Sequence, residues 1–313
     1  MQAGINGLPN GWIILDKPLG LGSTQAVAAV KRNLRAAGYG KAVKVGHGGT
    51  LDPLASGVLP IAVGEATKLC GRMLDASKAY AFTVAFGAET DTLDLEGAVI
   101  AQCAARPSRA IVTAVLARFT GPIEQVPPAY SAIKVDGRRA YDRARAGEVV
   151  ELKTRSVTVH SLVWHEEEVP NEADLASATL IAHVSKGTYI RSLARDIARA
   201  AGSLGHVTML RRLRAGPFAL SEAISLDKLN EAGNGAGFEN ILLPLEAGLD
   251  DIPALDLGPE QARAVRQGRV LTGLPHDDGL YWARSGIVPV ALVQLSDGRL
   301  SVLRGFNYTD VAE

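Results

Sequence analysis

Residues 46–60 read Gly46-His47-Gly48-Gly49-Thr50-Leu51-Asp52-Pro53-Leu54-Ala55-Ser56-Gly57-Val58-Leu59-Pro60, and they set a single carboxylate, Asp52, among four glycines and two prolines. Gly48 and Gly49 have no Cβ and so permit turn geometry and close approach of another chain. Pro53 pushes the residue before it, Asp52, out of helical geometry. An acidic side chain on a shaped loop beside His47, with little bulk around it, suits a site that receives a large partner. The same residue types make ordinary surface turns, so the rest of the chain has to decide.

With 313 residues, 47% of them hydrophobic, the chain can bury one large core or two smaller ones. It has no run of 18 apolar residues to span a membrane. The opening MQAGINGLPN lacks the basic and apolar regions of a secretory signal. Cys70 and Cys103, without metal-ligand spacing, read as reduced thiols of a cytoplasmic protein. Nothing calls for zinc. The formal charge is zero, but it is unevenly spread. Residues 1–220 hold 26 Lys+Arg against 19 Asp+Glu, and residues 221–313 hold 7 against 14. Lys31, Arg32, Arg35, Lys41 and Lys44 approach the Asp52 loop with no acid among them. Lys186, Arg191, Arg195, Arg199, Arg211, Arg212 and Arg214 are opposed in their window only by Asp196. Such clusters can neutralise phosphates and draw in a polyanion; the competing reading is a pair of solvated helix faces.

Six further blocks stand in order around the Asp52 loop. They are Gly11-Trp12-Ile13-Ile14-Leu15-Asp16-Lys17-Pro18, Gly64-Glu65-Ala66-Thr67-Lys68, Lys78-Ala79-Tyr80, Pro127-Pro128-Ala129-Tyr130-Ser131-Ala132, Ser185-Lys186-Gly187-Thr188-Tyr189-Ile190-Arg191 and His206-Val207-Thr208-Met209-Leu210-Arg211-Arg212. Together they resemble the pseudouridine synthases, and within them the bacterial tRNA pseudouridine-55 synthase (TruB) family. The chain departs from that pattern at Gly48, where threonine is common, and at Gly22, where a hydroxyl residue is usual. The resemblance implies an α+β fold with a mixed, mainly antiparallel central sheet flanked by helices.

The local patterns organise the chain in a compatible way. Strands are expected over Gly11–Leu15, Val58–Val63 and Tyr80–Phe86, the last with alternating β-branched and aromatic residues. Helices are expected over Thr24–Ala37, with Ser23 as its cap, over Glu65–Leu74, and from Ser108 to Arg118. The acidic segment from Glu89 to Gly97 reads as a solvated loop, with metal binding as the weaker option. Residues Val126–Val150 form an insertion: a strand at Ser131–Val135, an Asp136-Gly137 turn, and a basic helix over Arg138–Ala146 closed by Gly147. Its Lys134, Arg138, Arg139, Arg143 and Arg145 make it a candidate flap over RNA, and the resemblance implies a thumb on the T arm of tRNA. Further strands are expected at Arg155–His165, Leu175–Ser185 and His206–Arg214, a helix at Tyr189–Ala201, and an acidic connection from Glu166 to Asp174. Composition shifts after Leu243-Pro244-Leu245. The acidic tail carries an Asp297-Gly298 hairpin signal between Val288–Leu295 and Leu300–Gly305. The reading is a catalytic domain over 1–250 and a small β-barrel-like module over 251–313, which the resemblance would make a PUA-type RNA-binding accessory.

Making pseudouridine requires breaking the N1–C1′ bond, rotating the uracil and rejoining it through C5. The nucleotide must first leave its stack. A carboxylate can attack the sugar or remove a proton in such a glycosyl-transfer-like reaction; one suffices, since no water is consumed. The resemblance implies that Asp52 is the essential aspartate, attacking C1′ or taking the 2′ proton, and that Arg191 pairs with it and aims it. It matches Tyr80 to the residue stacking on the flipped base, and Tyr189 to the opposite wall, with a phenol able to serve the C5 proton. Leu210 matches an apolar wall of the pocket, and His47 the residue that fills the space left by the extruded nucleotide. Lys17 supports the site or contacts phosphate. No cofactor, metal, membrane or obligatory protein partner is expected, and the chain reads as a monomer acting on the T-arm stem-loop. The competing reading is a tRNA-binding or tRNA-folding protein whose catalysis is secondary.

Overall fold

Trp12, Ile13, Ile14 and Leu15 are all buried, so strand β1 (Gly11–Lys17) is covered on both faces. In the computed structural model, residues 8–131, 133–135, 137–148, 152–165, 174–235 and 237–308 are described. Helix α1 (Ser23–Ala36) follows. Its entry is held by Gln25, whose side-chain oxygen accepts from the Gly22 N–H at 2.7 Å, and not by Ser23 as a cap. Strands β2 (Val45–His47) and β3 (Ala55–Val63) flank the Asp52 loop. Antiparallel pairing sets Asp16 opposite Val58 and His47 opposite Ile61. The helix expected over Glu65–Leu74 is divided into a 3-10 segment, Gly64–Leu69, and α2 (Cys70–Asp75). The Thr67 hydroxyl donates to the Gly64 carbonyl at 2.7 Å, a local bond that competes with regular helix.

The chain then builds β4 (Lys78–Phe86), β5 (Ala88–Thr90), β6 (Val99–Gln102), α3 (Arg109–Leu116) and β7 (Gly121–Gln125). Ser108 caps α3 as expected, accepting from the Ile111 N–H. Next come β8 (Lys134–Val135), β9 (Arg138–Arg139), α4 (Ala140–Arg145), β10 (Arg155–Trp164), β11 (Ser177–Val184), α5 (Ile190–Ala200) and β12 (Gly205–Ala215). Strand order β12-β4-β11-β10-β7 makes a sheet, antiparallel through β4, β11, β10 and β7. Period-two alternation in β4 sends Phe82, Val84 and Phe86 into one core, where α3 contributes Val112 and Val115 and α5 contributes Leu193 and Ile197. In the insertion, Arg138 and Arg139 belong to a β8–β9 hairpin and not to the helix expected from Arg138. Gly137 at φ +81° supplies the turn. Asp136, and residues 166–173 of the acidic connection, lie outside the described residues.

After β13 (Phe218–Ala219) and α6 (Leu226–Asn234), the tail contains β14 (Ala254–Asp256), α7 (Pro259–Arg266), β15 (Leu271–Thr272), β16 (Gly279–Ser285), β17 (Val288–Ser296) and β18 (Arg299–Gly305). They form a five-stranded sheet ordered β14-β16-β17-β18-β15. Asp297 and Gly298 both take positive φ in the β17–β18 turn, the backbone that an Asp-Gly hairpin favours.

The chain divides into two compact units. One gathers residues up to Pro53, Gly57–Leu74 and everything from Ala215; the other holds Leu54–Ser56 and Asp75–Arg214. The acidic tail therefore shares a unit with the N-terminal strands. Phe306 and Tyr308 lie in one core with Trp12, Met73 and Leu245, and Lys68 donates to the Gly305 carbonyl at 2.8 Å. The class is mixed α+β. Among the described residues no helix is long and apolar enough to cross a membrane.

Candidate active site

The Asp52 loop is flexible in composition and anchored in fact. Gly49 sits at φ +137°, a conformation that only glycine adopts cheaply. A Cβ at Gly48 would stand 2.6 Å from the Met73 Cβ, so packing against Met73 excludes the threonine common there. The Gly48 N–H donates to the Pro60 carbonyl at 2.8 Å, carrying the loop out of the β2–β3 pair. His47, half-buried at the end of β2, accepts from the Gly49 N–H through Nδ1 at 3.4 Å. On the near side of Asp52, the Ser23 hydroxyl accepts from the Leu51 N–H at 2.8 Å and donates to the Leu51 carbonyl at 2.9 Å. On the far side, the Pro53 carbonyl accepts from the Gly20 N–H at 2.8 Å and from Lys17 Nζ at 3.4 Å. Asp52 itself is half-buried between these anchors. Lys17 is 0% exposed, and its ammonium also donates to the Leu21 and Pro18 carbonyls at 2.6 and 3.1 Å. Of the two roles expected of Lys17, phosphate contact and support, this burial favours support.

In the other unit, Tyr80 is half-buried on β4 and packs, as does Leu210 on β12, against the core that contains Ile190 and Leu193 of α5. Tyr189 is the residue that enters α5. Gln125, 1% exposed at the end of β7, accepts from the Tyr189 N–H at 2.8 Å and donates to the Tyr189 carbonyl at 3.1 Å. The Arg155 guanidinium lies 5.9 Å from the centre of the Tyr189 ring, within cation–π range. Arg191, in the first turn of α5, donates to the Thr92 carbonyl at 2.8 Å, the Tyr130 carbonyl at 2.9 Å and Asp94 Oδ2 at 3.1 Å. Those bonds fix the plane of its guanidinium.

The acidic segment is therefore not a solvated loop. Glu89 and Asp94 are buried. Glu89 holds Arg199 through two bonds of 2.7 and 3.0 Å, and Asp94 takes Thr92, the Glu96 N–H and Arg191. The sequence lacked a signal that these acids and the arginines of α5, about a hundred positions apart, would meet. The basic cluster of residues 186–214 divides between buried and exposed members, several of them paired within the protein. Arg212 is 1% exposed, Lys186 pairs with Asp75 at 2.9 Å, Arg195 with Asp196 at 2.8 Å, and Arg211 donates to Ser56 at 3.3 Å.

In the insertion, Arg138 and Arg143 both end on Glu148, at 3.0 and 2.7 Å. The Arg145 guanidinium lies over the ring of Tyr141. Lys78, two residues before Tyr80 and so on the same face of β4, is buried. Desolvation, with Arg212 nearby, pushes its ammonium down to about 8. Ser23, Gln125 and Asp94 bond to the expected site residues or their chain neighbours, and sequence reasoning did not assign them. Reading the Lys78–Tyr80 spacing as a strand face would have found Lys78.

Comparison with known proteins identifies the family of the chain. Residues 34–190 match the family model for the N-terminal domain of TruB family pseudouridylate synthases, and residues 191–250 match the tRNA pseudouridylate synthase B C-terminal domain. The chain is 74% identical over 304 residues to tRNA pseudouridine synthase B of Novosphingobium aromaticivorans, covering 97% of this chain and 99% of that protein. It is 57% identical over 299 residues to tRNA pseudouridine synthase B of Zymomonas mobilis, covering 96% of each. Among solved structures it is similar to a chain of an H/ACA RNP bound to a substrate RNA containing 2′-deoxyuridine, with TM-score 0.69 and 25% identity over 96% of this chain and 86% of that one. A chain of a Cbf5-Nop10-Gar1 complex gives TM-score 0.66 and 26% identity, over 96% and 83%.

Proposed function

The chain belongs to the TruB family of tRNA pseudouridine synthases, an isomerase family, and from that premise we propose that it converts the uridine at position 55, in the T loop of tRNA, to pseudouridine, with Asp52 as the essential carboxylate. The observation that carries the Asp52 assignment is the loop itself. It presents one carboxylate from a glycine-shaped turn whose residues on both sides of Asp52 are tied down through their backbones.

The target nucleotide leaves its stack to reach Asp52, and His47 occupies the space it vacates. The carboxylate either adds to C1′ or takes the 2′ proton. The N1–C1′ bond breaks, and the uracil stays bound between Tyr80 and Tyr189 while it rotates. The C5–C1′ bond then forms as the Asp52–C1′ ester breaks or, on the other route, as Asp52 returns the 2′ proton. The proton leaving C5 passes by way of the Tyr189 phenol and N1 ends protonated, so atoms and electrons balance without water or an oxidant. Leu210 closes the pocket on its apolar side. Arg191, its plane set by Asp94 and two carbonyls, aims the aspartate. Lys17 supports the loop from beneath.

Incubating pure protein with an unmodified tRNA transcript, with no added cofactor, and mapping pseudouridine along the product tests the site. Modification at position 55 is expected, and modification elsewhere alone would overturn it. Asp52→Asn should abolish turnover while tRNA affinity stays within about tenfold, or roughly 1.4 kcal/mol, because many groups other than Asp52 meet the RNA. Normal product formation by that variant would overturn the assigned chemistry.

A further inference from the structure

We propose that Ser23 is a positioning residue for Asp52, a role that rests on the reading of Asp52 given above. Gly48 and Gly49 give the loop no stiffness of its own, and Gly49 stands at φ +137°. The direction of the Asp52 side chain therefore depends on attachments made to the loop's backbone. Those on the two residues flanking Asp52 come from one short stretch of chain, the turn that joins β1 to α1. That turn supplies Lys17 and Gly20 to the carbonyl of Pro53 and Ser23 to the backbone of Leu51.

Of these, Ser23 makes the tighter and more specific attachment. One hydroxyl serves as acceptor for the Leu51 N–H at 2.8 Å and as donor to the Leu51 carbonyl at 2.9 Å. Both peptide groups of the residue before Asp52 are thus referred to a single atom. Ser23 is 5% exposed and Leu51 4%, so water is a poor substitute for either bond. The hydroxyl is not spent on the helix it begins, because the Gln25 side chain holds the Gly22 N–H there. Lys17 holds the other flank by a longer bond of 3.4 Å to the Pro53 carbonyl, its shorter bonds going to Leu21 and Pro18. Losing Ser23 leaves the carboxylate present and the loop intact, but lets the Leu51 peptide groups turn and carry Asp52 off its line to the sugar. A displacement of this kind costs rate more than binding.

The test is a single-turnover measurement on the full chain with enzyme in saturating excess over a tRNA transcript. The observed rate constant is then independent of how much of each preparation is folded. Ser23→Ala should lower that constant by about tenfold to a hundredfold while the Kd for tRNA changes by less than about twofold. Ser23→Thr, which keeps the hydroxyl, should recover most of the loss. Gln25→Ala is the control: it removes the α1 entry bond and lowers thermal stability, but leaves Leu51 untouched and the rate constant near wild type. A wild-type rate constant for Ser23→Ala, or equal losses for Ser23→Ala and Gln25→Ala, would overturn the role and assign Ser23 to stability alone. Asp52→Asn, measured in parallel, keeps the two readings separate. If it is active, the chemistry assigned to Asp52 fails whatever Ser23 does; if it is inactive while Ser23→Ala is unimpaired, only the positioning role fails.

Discussion

Arg191 and Arg138 both end on carboxylates, but in surroundings that give the two contacts different meanings. The Arg191 side chain is 10% exposed and that of its partner Asp94 12%, with Thr92 and Tyr130 carbonyls completing the guanidinium's bonds. Arg138 is 60% exposed and shares Glu148, 36% exposed, with Arg143. A buried pair is fixed, because removing either member strands the other charge away from water. An exposed pair is exchangeable, because water, salt or an RNA phosphate can take the place of either partner at little cost. One fold thus uses arginine–carboxylate contact as buried framework at the entrance of α5 and as an exposed, exchangeable pair in the insertion.

The comparison breaks most severely at Asp94. Asp94→Ala leaves Arg191 charged and buried, and should cost about 3–5 kcal/mol of stability, read as a lowered thermal midpoint. It should also slow single-turnover chemistry, because the guanidinium loses the carboxylate that sets its plane. A variant as stable as wild type would show that the pair is as exchangeable as those in the insertion.

The pair of Glu89 with Arg199 sharpens the rule, since its members differ: Glu89 is 7% exposed and Arg199 54%. Arg199→Ala strands the buried carboxylate and should cost roughly 2–3 kcal/mol, whereas Glu89→Gln leaves an arginine that water can solvate and should cost about 1 kcal/mol. The reverse order, in a denaturation series of both variants, would refute burial as the deciding variable.

In the insertion the effects move from stability to RNA binding. For every phosphate that the protein no longer neutralises, the slope of log K against log salt should fall by roughly 0.7 to 0.9. Replacing Arg138, Arg139 and Arg143 together by Ala should therefore flatten the slope while leaving the thermal midpoint nearly unchanged. An unchanged slope would return these arginines to a solvated surface. Glu148→Gln is the smallest change. It removes the negative charge that Arg138 and Arg143 share and should tighten tRNA binding by about two- to threefold at low salt. The Arg143 hydrogen bond holds the Glu148 carboxyl below its usual 4.5. A depressed carboxyl keeps its partner above the unfolded value and gives it up only as pH falls through the folded one. The gain should accordingly be constant between about pH 6 and 8. A gain that appeared only near the acid end would contradict the pairing.

The elements that read correctly from sequence are those with a local cause. Period-two alternation marked β4 and β17–β18, Ser108 marked the entrance of α3, and the Asp297-Gly298 pair marked its own turn. Where local signals competed, reading failed. Ser23 looked like a cap because it stands at a helix start, yet its hydroxyl goes to Leu51, 28 residues on. Arg138 looked helical because a basic run follows it, yet Gly137 folds it into a hairpin. Nor does sequence position separate the tail from the N-terminal strands, since Phe306 and Trp12 lie in one core.

By itself the sequence determined the family and the strand and helix types over much of the chain, and it placed Asp52, Tyr80, Tyr189 and Arg191, the proposed site residues, in short motifs. Tertiary structure alone decided which charges are available. The cluster from Lys186 to Arg214 looked uniform in sequence, but Arg212 is buried and Arg191 pairs with a buried Asp94, whereas Lys186 meets Asp75 in an exposed, exchangeable pair. The reason is that charge is a property of a residue, whereas its pairing and burial belong to the space around it. That space is filled by segments about a hundred positions away, on which the local pattern of the chain is silent.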